Sequence, residues 1–419
     1  MRHRRISDDQ LIDVAQRHAF DFFANPAHWR PMGVLDRDST TSPISSAATG
    51  FGFAAFAVGV ERGWIKRTDA LERLRTVAAN LRASEQSNDA FAAGKNGFFY
   101  HFLCPDTGRR IWKSELSSID TALLAAGLLW AGAYFDDAEL SEHVEVLTDA
   151  IDWNWMRHGQ RRISHGWHPH GKSSGRFMKY HWHGYNEALL LQPLALGSRT
   201  HPVPADCYDA WLEDYTIETH YGQTYIFCGP LFTHLFPICF LDLRGRHDAF
   251  TAEHGFDYHA NAERATRMQS TYAGANPDGF ASYAADCFGV TASDGPHLGE
   301  HNGRRYYTYH ARSVPCGPDD GTICAPMTAA ALPLCPDVVL PAMQNFHQRG
   351  LLNRTFNDTF PWVAPDLLGV DVGPTVLMIE NHRSGLMWDL SREIPQVQTG
   401  LDRCGFSPAP TVGVHAAAH

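Results

Sequence analysis

Several features are missing from this chain, and each absence narrows what it can be. Among its 419 residues no eighteen apolar residues run uninterrupted, so no segment reads as a membrane span. The nine cysteines contain no CxxC, and their odd number and scatter argue for unpaired thiols in a reducing compartment. Basic runs are lacking too: 35 Lys+Arg stand against 46 Asp+Glu, a net charge of −11 that would repel a phosphate backbone and excludes nucleic acid as a partner. The N-terminal segment shows no apolar stretch or small-residue cleavage site of a signal peptide, so the expected location is the cytoplasm. No Gly/Ser- or Pro-rich linker divides the chain and no internal repeat recurs, which predicts one domain over 1–400 followed by a tail, 401–419. What is plentiful is apolar material: 44% hydrophobic residues suffice for a large core and exclude disorder.

That material is arranged in two kinds of helix. Leu140, Val144, Leu147, Ile151 and Trp155 recur at helical spacing on one face, as expected of a helix with one wet side. Similar amphipathic segments fall at 8–24, 67–84, 139–155, 204–219, 257–275 and 336–349. Between them lie segments apolar nearly all round, at 46–60, 118–134, 186–196, 230–243, 326–334 and 374–384, which require neighbours on every side. Six outer helices alternating with six inner ones predict an all-α fold, an (α/α)6 toroid. Pro230, Pro326 and Pro374 fit first helical turns, and Ser117-Ser-Ile-Asp120 resembles a capping box. Because the chain alternates direction, the inner helices begin on one face, where long loops at 156–185 and 276–325 gather round a mouth.

Carboxylates recur at these inner-helix starts: Glu115, Asp120 and Glu187, with Asp294 and Asp320 in loops and Asp371 before the sixth inner helix. Singly, each could be a cap or a dipole partner. Together, in a cleft with Trp and Tyr, they suit glycoside hydrolysis, which needs one acid for the leaving oxygen and one carboxylate for water or the anomeric carbon. Five histidines at 165, 168, 170, 181 and 183 could suggest a metal, but no spacing matches an established zinc pattern, so the expectation is no metal and no cofactor.

Specific motifs sharpen this. In order they are Ala48-Thr-Gly-Phe-Gly-Phe, Val60-Glu-Arg-Gly-Trp, Glu115-Leu-Ser-Ser-Ile-Asp-Thr-Ala-Leu-Leu, Gly184-Tyr-Asn-Glu-Ala-Leu, Gly229-Pro-Leu-Phe, Thr291-Ala-Ser-Asp-Gly-Pro, Asp320-Gly-Thr-Ile, Gly369-Val-Asp-Val-Gly-Pro and Met378-Ile-Glu-Asn-His-Arg-Ser-Gly-Leu-Met-Trp. With these the chain resembles the β-1,2-glucanases of glycoside hydrolase family 144 and the related glucoamylase-like module of cyclic β-1,2-glucan synthases. The resemblance implies an (α/α)6 fold and inverting, endo-acting hydrolysis of β-1,2-glucan, an oligo- or polysaccharide being the partner. It makes Glu187 the general acid and Asp371 the best candidate for the base. Asp120 and Glu115 would bind sugar or share the base role, and Arg37, Asp294, Arg383 and Trp388 would be substrate-side. One departure is Tyr283-Ala-Ala-Asp286, where the family typically carries a Glu.

Glu187 carries a physical tension. A helix start stabilises the carboxylate, whereas a general acid must hold its proton near neutrality. Burial beside Trp182 and Tyr185, also candidates for sugar contact, and repulsion from another acid would have to oppose the dipole. Exo-acting hydrolysis or transglycosylation would use the same residues. A sugar epimerase would instead use paired histidines, and a non-catalytic binder would not need both Glu187 and Asp371.

Overall fold

The computed structural model describes residues 3–408 apart from 40, 171–172 and 302. Sixteen helices are present among the described residues: α1 (Asp8–Ala24), α2 (Ser46–Glu61), α3 (Arg67–Ala83), α4 (Ser118–Phe135), α5 (Ala138–Asp149), α6 (Trp153–Met156), α7 (Ala188–Leu196), α8 (Asp206–Leu212), α9 (Phe232–Phe240), α10 (Ala249–His254), α11 (Tyr258–Ala275), α12 (Ala325–Ala330), α13 (Pro336–Arg349), α14 (Gly369–Arg383), α15 (Leu386–Glu393) and α16 (Pro395–Arg403). Strands are short and form only two- and three-stranded pieces in the connections.

The six segments read as apolar all round are α2, α4, α7, α9, α12 and α14. They pack in succession: α2 on α4, α4 on α7, α7 on α9, and α14 on α9, α12 and α2. Amphipathic helices cover them, α1 on α14 and α2, α5 on α4, α11 on α9 and α13 on α12. Although α4 is long and apolar enough to cross a membrane by composition, its residues are mostly buried at the centre of this packing. Small residues set the closest approach. A Cβ built on Gly127 would stand 2.0 Å from the carbonyl oxygen of Gly50, and one on Gly50 would stand 2.1 Å from that of Leu123. Backbone meets backbone here, so nothing flexible can yield. Gly127→Ala is therefore expected to lower unfolding free energy by the upper end of the roughly 1–3 kcal/mol that overpacking costs, read by urea denaturation.

Several boundaries differ from those the sequence suggests. The segment 204–219 is helical only as α8; Ile217–His220 then pairs antiparallel with Gln223–Ile226. Alternating β-branched residues and the left-handed Tyr221-Gly222 corner account for this hairpin. The helix expected over 139–155 breaks after Asp149, and Asp152 caps a new turn by accepting from the Trp155 N–H. In α14, Pro374 stands inside the helix rather than at its start, which puts Asp371 within the first turn. The expected tail boundary at 401 is also displaced: α16 runs to Arg403, Leu401, Cys404 and Phe406 are buried, and Ser407–Pro408 pairs with Arg246–His247. Apolar side chains falling on that stretch are what tie it down. Residues 409–419 lie outside the described residues.

Candidate active site

The first turns of five inner helices line one cavity of about 500 Å³, within the roughly 300–1,000 Å³ typical of ligand sites. Ser45 and Ala47 come from the start of α2, Asp120 and Leu123 from α4, Glu187 from the start of α7, Phe232 and Phe236 from α9, and Asp371 from α14. Asp36, Arg37, His101, Trp112 and Tyr309 reach in from connections.

Local chain geometry delivers Glu187. Gly184 takes a left-handed φ of 66°, turning the chain, and the Asn186 side-chain oxygen accepts the Ala188 N–H at 3.0 Å. Asn186 thus does the capping, and the Glu187 carboxyl makes no cap hydrogen bond of its own. Burial pushes that carboxyl up to about 7, its own backbone amide opposes the rise, and the charge of Asp120 adds to it. The dipole tension is resolved by dehydration first and a neighbouring acid second.

Asp120 is placed by Ser117, whose hydroxyl accepts the Asp120 N–H at 3.2 Å. The reciprocal half of a capping box is not formed among the described residues, which leaves the Asp120 carboxyl to the cavity. Burial raises its pKa, while His101 and the Ser117 hydroxyl lower it. Asp371 is raised well above the ordinary range by burial, then by repulsion from Asp294 and Asp36, against the Cys324 thiol and Arg37. Arg37 donates to Asp294 at 2.7 Å and to Asp36 at 3.2 Å.

His101 was not legible as a site residue. Its Nδ1 lies 2.9 Å from Glu115, and its Nε2 lies 3.6 Å from Asp120. Burial disfavours a charged ring, yet Asp120, the hydrogen bond to Glu115 and the charges of Glu115 and Asp36 outweigh it and raise the pKa to about 9. His101, Glu115 and Asp120 are close enough together to hold a metal ion. An imidazolium between two carboxylates already supplies a positive charge there. Phe102 stacks on His101 at 3.9 Å and stands 5.5 Å from Trp112, which is 63% exposed at the cavity rim. Such an exposed indole offers a face for a sugar ring.

The remaining expected residues divide. Glu115 and Asp294 stand just behind the lining, holding His101 and Arg37 respectively. Trp182 and Tyr185 are buried and do not line the cavity, a correction to their expected sugar contact. The Trp182 indole donates to the Ser118 hydroxyl and stacks on His165, and Tyr185 packs against Tyr215, Tyr258 and His234. They support the segment that presents Glu187. Arg383 and Trp388 are also corrected. Arg383 pairs with Asp13 at the far end of α14, and Trp388 is buried beneath Arg244 with its indole donating to the Ile238 carbonyl. Helix length explains this: twelve residues beyond Asp371 is about 18 Å along the axis. Of the upstream histidines, 165, 168, 181 and 183 do not line the cavity; His165 stacks on Trp182, and His183 faces Asp214 at the surface. The side chain of position 170 lies outside the described residues.

Residues 179–395, more than half of the chain and containing Glu187, Tyr309 and Asp371, match the Glycoamylase family, described as putative glucoamylase. The chain belongs to the Glycoamylase family. Among its relatives, an exo β-1,2-glucooligosaccharide sophorohydrolase (non-reducing end) from Parabacteroides distasonis is 26% identical over 95% of this chain. The match covers 58% of that relative's length. The endo-β-1,2-glucanase of Chitinophaga pinensis, solved with sophorotriose and glucose, superposes with a TM-score of 0.83 at 26% identity, covering 96% of this chain and 99% of that one. A putative glucoamylase from Bacteroides uniformis superposes with a TM-score of 0.84 at 28% identity, covering 97% and 99%.

Proposed function

We propose that this Glycoamylase-family chain is a glycoside hydrolase of β-1,2-linked glucan, with Glu187 as general acid and Asp371 as general base of an inverting reaction. The observation that carries the reading is the pairing of Glu187, at a pKa of about 7, with Asp371 in one cavity edged by an exposed indole. An acid that titrates near neutrality can protonate a leaving oxygen there. A raised Asp371 is a strong base once ionised, and Asp120 beside His101 is placed to bind the sugar. Named β-1,2-glucan hydrolases among the relatives supply the linkage. The order of inner-helix packing supports one domain built as a closed double ring of helices, with the cavity at its mouth. Nine unpaired cysteines support work in a reducing compartment.

An epimerase loses its basis, because the upstream histidines described here stand outside the cavity. The proposal is tested by incubating the protein with linear β-1,2-glucan and separating the products. A ladder of mixed lengths from the first minutes means internal cleavage, and a single short product means release from an end. Unchanged β-1,2-glucan would overturn the proposal.

A further inference from the structure

One turn of the 276–325 connection is held far more firmly than a surface loop requires. Arg312 and Asp320 form an ion pair in which both side chains are fully buried, with Arg312 Nε 2.8 Å from Asp320 Oδ1. The same guanidinium donates to the carbonyls of Ser293 at 2.7 Å, Tyr307 at 3.0 Å, Thr308 at 3.2 Å and His310 at 3.5 Å. Asp320 in turn accepts the backbone N–H groups of Tyr307 and Thr322 at 3.1 Å each.

A buried ion pair is weak evidence for stability, since desolvation offsets most of its attraction. A fully satisfied polar network does fix one backbone conformation. What this network fixes is the turn 307–310. Residue 309 is the one member whose backbone takes no bond from the guanidinium, and its side chain is the one delivered to the catalytic cavity.

Tyr309 is 51% exposed, yet it lines the same cavity as Glu187 and Asp371. Its hydroxyl makes no hydrogen bond to a described residue. Burial of that hydroxyl and the charges of Asp371, Asp36, Asp120 and Asp294 push its pKa well up, so the phenol stays a donor. A donor left without a protein partner among four acids is available to a sugar hydroxyl, and the half-exposed aromatic side chain offers surface to a pyranose.

We propose that Tyr309 is a specificity-determining residue of this site, its ring walling the sugar that spans Glu187 and Asp371 and its hydroxyl donating to that sugar. The Arg312–Asp320 pair is the positioning device that sets the phenol there. This rests on the hydrolase reading above.

The test compares kcat and KM on sophorotriose and on linear β-1,2-glucan. Tyr309→Phe keeps the ring and is expected to raise KM about tenfold with kcat little changed, as loss of binding made equally in ground and transition states does. Tyr309→Ala is expected to cost about a hundredfold in kcat/KM and to change the product lengths, with a melting temperature within a few degrees of the original because the residue is half exposed. Arg312→Lys should reproduce the KM rise, and combining it with Tyr309→Ala should add nothing further, the mark of residues acting as one unit. Wild-type kcat/KM and product lengths in both Tyr309 variants would overturn the proposal while leaving the hydrolase reading standing. Additive effects of Arg312→Lys and Tyr309→Ala would overturn the positioning role alone. A wild-type protein inert toward β-1,2-glucan overturns the hydrolase reading and this proposal with it.

Discussion

Glu187→Gln is expected to lower hydrolysis of β-1,2-glucan by roughly 10²–10⁴, the contribution typical of a positioned general acid. Glutamine has the same shape, so sugar binding should survive and the loss should fall on kcat. The pH dependence should change with it. Since the acid must be protonated and titrates at about 7, wild-type activity should fall as pH rises through 7. Whatever rate Glu187→Gln retains should lack that decline.

Stability supplies a second readout with a definite sign. The folded protein keeps a proton on Glu187 that the unfolded chain would release near 4.5. This contribution is fully present below 4.5 and is lost as pH rises through about 7. At pH 8 the Gln variant should therefore unfold with more difficulty than the wild type, by up to roughly 3 kcal/mol for a difference of this size. A variant that is active within tenfold of wild type, or less stable at pH 8, would remove Glu187 from the acid role.

Asp371→Asn is expected to cost a similar factor, roughly 10²–10⁴ in kcat, but with a different signature. From an aryl β-sophoroside whose phenol is acidic, the phenolate departs without needing a proton from a general acid. Glu187→Gln should hydrolyse this sophoroside at a rate near wild type, while Asp371→Asn should be slow on both the aryl glycoside and the glucan. The acidic limb of the wild-type profile belongs to this group. Because burial and the charges of Asp294 and Asp36 raise it, that limb should lie above the ordinary aspartate range. Both limbs belong to the coupled set of acids rather than to either carboxyl alone. Equal rates for Asp371→Asn and wild type on the aryl substrate would assign the base elsewhere, with Asp120 next in position.

The inner helices were legible because nothing else explains segments such as 118–134, which are apolar on every side. Their starts carried Asp120, Glu187 and Asp371, and alternating chain direction was enough to expect these ends on one face. Motif membership alone did less well. Asp320 stands in a motif and was a candidate carboxylate, yet its side chain is spent entirely on Arg312 and backbone amides. Arg383 and Trp388 share a motif with the sixth inner helix but ride to its other end. Nothing local marks His101, Trp112 or Tyr309. Each sits in an irregular connection, and an exposed Trp in a loop looks the same in sequence as a buried one.

The order of apolar and polar residues by itself determined which segments are helices, which of them must lie inside, and that acids stand at their beginnings, because periodicity and capping are properties of neighbouring residues. Only the tertiary structure decided the chemistry of those acids. Whether Glu187 keeps a proton depends on its burial where α7 packs on α4 and α9 and on a charge at Asp120, 67 positions away in the chain. Burial and Coulomb repulsion act through space, and the segments that supply them meet only when the helices pack.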